Sequence, residues 1–150
     1  MKTVIQRVNS CVLNIEGQEY SRIGYGLLIL LSVEDTDNTE DTEWLCGKIA
    51  GLRIFDDDQG VMNLDIKEIG GDIMVVSQFT LHASTRKGNR LSFSKAARPE
   101  IARPLYEAFI REFEMRLDRQ VATGQFGAHM EITLVNDGPV TIIIDTKNKE

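Results

Sequence analysis

The run Leu27 to Val33 is apolar on both of the faces that a strand presents. Side chains alternate across a strand, so a run of this kind must be covered on both sides. Ile73 to Phe79, introduced by Gly70-Gly71, repeats the pattern and predicts a second buried strand. A sheet built on two such strands needs a layer packed on its faces. The sequence supplies candidates. Asn38 or Thr39 can cap a helix, and Glu40, Asp41 and Glu43 suit its positive N-terminus. Trp44, Leu45, Ile49 and Leu52 then recur at helical spacing. Pro99 to Arg119 predicts the longest helix, with Leu105, Phe109, Phe113 and Leu117 on one stripe. Pro104 either lies near its true start or kinks its first turns.

Most other segments read as strands. Thr3 to Val8 alternates, with Val4, Gln6 and Val8 on one side and Ile5 and Arg7 on the other. Val12 to Ile15, Glu19 to Ile23 and Arg53 to Phe55 are further short strands, the last followed by the acidic turn Asp56 to Gly60. Glu131 to Val135 and Val140 to Ile144 are two strands joined by Asn136-Asp137-Gly138-Pro139, which on its residues alone is a hairpin loop. The pattern predicts an α/β sandwich of mixed, largely antiparallel β-sheets flanked by two helices. A length of 150 residues suits one domain, 1–150.

Several function classes are disfavoured. The longest apolar run, Leu27 to Leu31, is far short of the roughly 20 residues that span a bilayer. The first residues, Met1 to Asn9, contain no apolar core of an export signal. Cys11 and Cys46 suggest neither a metal site nor a disulfide framework, and fit a reducing compartment. The expectation is a cytoplasmic protein without a membrane contact. The formal net charge of -6 argues against a general nucleic-acid coat. The charge is unevenly spread, however. Glu34 to Glu43 holds six acids and no base, whereas Arg86 to Arg103 holds six bases (Arg86, Lys87, Arg90, Lys95, Arg98, Arg103) and one acid, Glu100. That stretch is either a solvated face or a local phosphate contact.

Familiar motifs fail. Gly24-Tyr25-Gly26 precedes a strand and lacks the third glycine of a dinucleotide loop. Asp56 to Gly60 does not carry its glycine where a calcium loop needs it. His82 and His129, the only histidines, give no triad order and no zinc pattern, and read as surface or structural residues. Two segments carry more. In Ser77-Gln78-Phe79-Thr80-Leu81 the buried strand turns polar, so its side chains form either a satisfied internal network or a binding site. Thr80 as a nucleophile lacks an obvious base. The second is Asn136-Asp137-Gly138-Pro139-Val140-Thr141.

Together these two segments resemble the signature motifs of the D-aminoacyl-tRNA deacylases of bacterial and eukaryotic type. Ile5-Gln6-Arg7-Val8, Gly26-Leu27-Leu28, Leu52-Arg53-Ile54-Phe55, Met62-Asn63-Leu64 and Ser92-Phe93-Ser94-Lys95 extend the likeness along essentially the whole chain. The resemblance implies hydrolysis of the ester joining a D-amino acid to the 3′ end of tRNA, with glycyl-tRNA also accepted and no cofactor or metal. It implies a homodimer with active sites at the interface. Gly138-Pro139, in cis, would reach into the partner's site and reject L-amino acids, with Arg7 holding it. Ser77, Gln78, Phe79 and Thr80 would line the catalytic pocket, with main-chain N–H groups of Phe79 and Thr80 facing the oxyanion. Phe126, Gly127 and Met130 would surround the terminal adenosine. A tRNA 2′-hydroxyl would assist water, so that no protein base is needed. A binding module without turnover and an esterase with a Ser77 or Thr80 nucleophile are alternatives, separated by release of free amino acid and by an acyl-enzyme; a purely structural dimer is a third, weakened by the polar end of the buried strand.

Overall fold

The structure is a computed structural model describing residues 1–150. Its spine is one long strand, β1 (Lys2–Ile15), which the sequence divides into two. Along one edge β1 pairs antiparallel first with β3 (Gly26–Ser32) and then with β2 (Gln18–Ile23). Along the other it pairs antiparallel with β8 (Glu131–Asp145). β3 continues the sheet through parallel pairing to β6 (Asp72–Ser77), and β6 to the short β7 (Ala122–Thr123). The sheet is therefore mixed and mostly antiparallel. A separate ribbon joins β4 (Phe55–Asp56) to β5 (Met62–Leu64). Gly26 is obligatory where β3 meets β6, because a Cβ there would overlap the Asp72 carbonyl.

The two central runs behave as their composition demands. Leu27, Ile29 and Leu31 face a large core shared with Ile73 and Val75, and Leu28 faces a smaller one with Met74 and Val76. The helices cover the large core. α1 (Thr39–Ala50) starts in a capping box: the Asn38 side chain accepts from the Asp41 amide, and the Asp41 carboxylate accepts from the Asn38 amide. α2 (Pro99–Leu117) has Pro99 in its first turn and runs on through Pro104, which is exposed. The carbonyl that loses its donor there, of Glu100, belongs to another exposed residue of the first turn. Its buried stripe is Ala102, Tyr106, Phe109, Phe113 and Leu117, and Leu105, half-buried, packs against the edge of the same core. Phe109 and Phe113 are fully buried and meet edge to face at 5.1 Å. Truncating either would cost about 3–5 kcal/mol.

Two expectations are corrected. Glu131–Val135 and Val140–Ile144 are not the arms of a hairpin; both lie on β1 in the same direction. Gln6 pairs with Thr141 and Val8 with Asn136, so Asp137 to Val140 bulge out of the ladder opposite Arg7. A second irregularity between Val8 and Ser10 lets β1 change faces: Ile5 packs in the large core, whereas Val8, Cys11 and Leu13 pack in the small one. The other correction concerns β6, which ends at Ser77. Gln78 leaves the strand (ψ 74°), and Phe79–His82 form a single 3-10 turn. The alternation read through Leu81 breaks there because the turn's own hydrogen bond, Leu81 N–H to Gln78 O at 3.2 Å, replaces the ladder.

Candidate active site

The parallel register of β3 and β6 places Ser77 beside Leu31, and the Gln78 amide donates to the Leu31 carbonyl at 2.7 Å. The chain then turns away over open space on both sides. One side is an apolar cavity of about 380 Å³, lined by Ser77, Gln78, Phe79, Phe126 and Gly127 together with Ser32, Phe93, Ala102 and Tyr106. On the other side a cavity of about 220 Å³ is lined by Ser77, Gln78, Phe79, Gly127, His129 and Met130. Residues 77–79 are thus a partition between two adjoining cavities. Phe79 is exposed and packs edge to face on Phe93 at 5.0 Å, while Phe126 tilts against Tyr106 at 5.7 Å. Flat apolar walls of this kind suit a planar ring system.

The polar groups of the partition are partly spent. Gln78 Nε2 donates to Thr80 Oγ1 at 2.6 Å, so the half-buried Thr80 hydroxyl is engaged within the turn and lines neither cavity. No base approaches it. The main-chain amides of Phe79 and Thr80 precede the first hydrogen bond of the 3-10 turn, which therefore leaves both available as donors. Neither cysteine is a nucleophile. Burial pushes Cys11 up to about 11, and burial pushes Cys46 higher still. Tyr106 is also pushed up to about 12, chiefly by burial, and its hydroxyl donates to the Val75 carbonyl at 3.1 Å. It serves as a fixed wall. No three His, Cys, Asp or Glu side chains gather closely enough to hold a metal ion.

Ser32 was not singled out by the sequence, though it is the one polar residue in Leu27–Val33, and His82 was read there as a surface or structural residue. Ser32 Oγ lies 2.6 Å from His82 Nδ1 and 3.3 Å from the Phe79 carbonyl. A hydroxyl has a single proton. Both contacts are satisfied when Nδ1–H donates to Ser32 and Ser32 donates to Phe79. The pair so clamps the turn that carries the free amides. Burial, with Lys2 nearby, lowers the His82 pKa and keeps the ring neutral. His82 is structural and buried.

Arg7, Gly138 and Pro139 lie elsewhere, and line neither cavity. The Arg7 side chain is buried between the bulge of β8 and the end of the loop that follows α1. Its Nε donates to the Asp137 carbonyl at 3.1 Å and stands 3.1 Å from the Asp137 carboxylate. Its Nη1 donates to the Ile54 carbonyl at 2.6 Å and to Asp56 at 3.3 Å. The bulge also ties itself, since the Val140 amide donates to Asn136 Oδ1 at 3.0 Å. The Gly138-Pro139 peptide is cis, and both residues are exposed. Gly138 has φ +129°, and a Cβ there would stand 2.8 Å from Val140 Cγ2. The ten residues singled out in the sequence therefore form two constellations in one chain, a partition with cavities and a pinned surface bulge.

Comparison with known proteins adds a family. Residues 4–145 match the family model described as D-Tyr-tRNA(Tyr) deacylase. Proteins named D-aminoacyl-tRNA deacylase from Parabacteroides distasonis and Bacteroides thetaiotaomicron are 60% and 58% identical, each over 100% of both chains. A solved structure titled c-Myc DNA Unwinding Element Binding Protein superposes with TM-score 0.90 at 34% identity, covering 97% of this chain and 98% of that one. A second, titled as a probable eukaryotic D-amino acid tRNA deacylase, shares the fold with TM-score 0.82 at 18% identity, covering 95% and 97%.

Proposed function

The chain belongs to the D-Tyr-tRNA(Tyr) deacylase family, and from that membership we propose how its two constellations divide the work of a D-aminoacyl-tRNA deacylase. The enzyme is a hydrolase: water adds to the ester carbonyl, the bond from acyl carbon to ribose oxygen breaks, and free D-amino acid and tRNA result. The observation that carries the division is the partition at 77–79 with unspent amides beside it. The terminal adenosine takes the apolar cavity against Phe79 and Phe126, with Gly127 and Met130 closing the junction. The aminoacyl group takes the smaller cavity. The N–H groups of Phe79 and Thr80 then face the oxygen on which negative charge develops, an arrangement whose single donors are worth about 3–4 kcal/mol in other enzymes. Ser77 and Gln78 position the ester. His129 is the one ionisable side chain lining the smaller cavity; in this division it is not the base, and the 2′-hydroxyl of the substrate assists the water.

Selection of hand falls to Gly138-Pro139 of a second copy in a homodimer. Two features support this. The motif lies outside its own chain's cavities, and Val135 and Ile143 on the same strand leave 52% and 69% of their surface exposed, as a strand awaiting a partner does. A bare, pinned main chain placed against one substituent of Cα rejects one enantiomer whatever its side chain. Glycine offers nothing to reject, so glycyl-tRNA is also cleaved. The reading treats residues 1–150 as one cytoplasmic domain; no helix is long and apolar enough to cross a membrane.

The test is hydrolysis of D-tyrosyl-, L-tyrosyl- and glycyl-tRNA, each with and without the terminal 2′-hydroxyl. Cleavage of the first and third only, lost with the 2′-deoxy end, is expected. Trapping of a covalent acyl-enzyme, or equal cleavage of the L-ester, would overturn the division.

A further inference from the structure

His82 separates two spaces. Its Nδ1 edge is held by Ser32, which lines the apolar cavity. The ring also lines a different pocket, of about 340 Å³, on the far side. That pocket is walled by Lys2, Arg86 and Lys95, with Ser84 and Thr85 between them, and only one of its residues is hydrophobic. Three cations converge from β1, from the segment after the 3-10 turn and from the segment before α2. No carboxylate lines the pocket. Lys2 reaches Asp145 at 3.7 Å across a partly exposed gap, while Arg86 and Lys95 have no acidic partner within 4.0 Å. His82 is 5% exposed, and its Nε2 makes no hydrogen bond in the chain; the nearest acid, Glu34, stands 4.0 Å away. In a protein of net charge -6, two cations without an acidic partner, joined by Lys2 in a pocket that no carboxylate lines, are a departure that calls for an anion.

We propose that Lys2, Arg86 and Lys95 form a pocket for a backbone phosphate of the single-stranded 3′ end of the tRNA, next to the cavity that takes the terminal nucleoside. The assignment rests on the proposed deacylase reading for the identity of the strand. The neighbourhood supports it: Lys95 directly precedes Ala96, a residue of the apolar cavity, and the Ser32–His82 pair is the common wall. A nucleotide chain entering that cavity has to bring a phosphodiester past this wall. Of the six bases between 86 and 103, only Arg86 and Lys95 turn into the pocket, and Arg103 is paired with Glu107. The basic stretch is thus resolved into two participants, joined by Lys2 from the other end of the chain.

The test compares wild type with the Arg86→Ala/Lys95→Ala double variant on two substrates. One is D-tyrosyl-tRNA; the other is 3′-O-(D-tyrosyl)adenosine, which has no phosphate. Removing the pocket's cations is expected to raise KM for the tRNA about tenfold with kcat kept, and to leave the nucleoside ester unaffected. The salt dependence of binding should flatten by about 0.7 in log–log slope for each phosphate no longer neutralised. Lys87→Ala/Arg90→Ala, in the same exposed segment but outside the pocket, should change KM less than twofold. Unchanged KM and slope in the first variant, or equal impairment on both substrates, would overturn the pocket. Binding of a labelled RNA ending in CCA, measured by anisotropy, reads the pocket without catalysis. If wild type cleaves neither ester yet binds this RNA more tightly than the double variant does, the deacylase division fails and the phosphate pocket stands. If the RNA binds both proteins equally, the pocket fails.

Discussion

The 77–80 partition and the 137–140 bulge both interrupt strands with polar chemistry, and they do so in opposite ways. At 77–80 a buried strand gives way to a 3-10 turn, which leaves N–H donors unspent among apolar walls. At 137–140 an exposed strand swells out of its ladder, which leaves the carbonyls of Gly138 and Pro139 without a strand partner, and Pro139 has no N–H at all. The first region is shaped by packing on both sides. The second is held by a single buried guanidinium and one Asn side chain. On the proposed division the site is assembled from backbone, donors from one element and acceptors from another, with side chains serving to hold each in place.

Removing the pin should have the largest effect. Arg7→Ala takes away the bonds of a nearly buried guanidinium to Asp137, Ile54 and Asp56, at a cost of roughly 2–3 kcal/mol measured by chemical denaturation. On the proposed division it also lowers kcat/KM on D-aminoacyl-tRNA at least a hundredfold, while adenosine binding to the partition survives. Retained activity would show that the bulge needs no pin. Gly138→Ala is the next test. Its Cβ would press on Val140 and come within 3.2 Å of Arg7 Nη2, in a conformation that L-residues rarely adopt. We expect about 1–3 kcal/mol of strain and a tenfold or greater fall in turnover; a variant that still discriminates D from L at the wild-type ratio would detach selection from this residue.

The partition side should respond more gently. His82 has a folded-state pKa depressed below 6.5, chiefly by burial. Its contribution to stability is therefore complete above pH 6.5 and disappears as pH falls through the lower folded value. Thermal melts of wild type and His82→Ala should diverge above pH 6.5 and converge in acid. Parallel curves would mean that the ring is not held neutral. Thr80→Ala is expected to be the mildest change, within about threefold of wild-type turnover, since it removes only the acceptor of Gln78 and one neutral hydrogen bond is worth about 1 kcal/mol. Abolished turnover with an unchanged melting curve would restore a side-chain nucleophile.

Much of this was legible in the residues. Runs apolar on both faces announce central strands because a central strand buries Leu27 to Ile29, Leu31 and Ile73 to Val76 from both sides. The capping box of α1 and the Phe109–Phe113 stripe of α2 are equally local signals. Resemblance, not pattern, singled out Arg7 and Gly138-Pro139. The bulge escaped because an Asn-Asp-Gly-Pro stretch has the composition of a hairpin turn, and only the long-range partner β1 decides otherwise. Ser32 and Tyr106, and the partner that makes His82 structural, were missed for a related reason. Each matters through a contact made across the sheet or between layers, and none has a spacing that records it. The basic stretch could be counted in the sequence, but its split into pocket-lining and solvent-facing members required the fold.

The bulge of β8 hangs between two lengths of ladder that are registered independently, Lys2 to Gln6 on one side and Ser10 to Asn14 on the other. Residues can therefore be swapped, added or removed between Asn136 and Thr141 without unzipping either length. Such a segment behaves as a cassette. If selection falls to it, as proposed, changes there alter which substrates are admitted while the two flanking lengths of ladder keep their register.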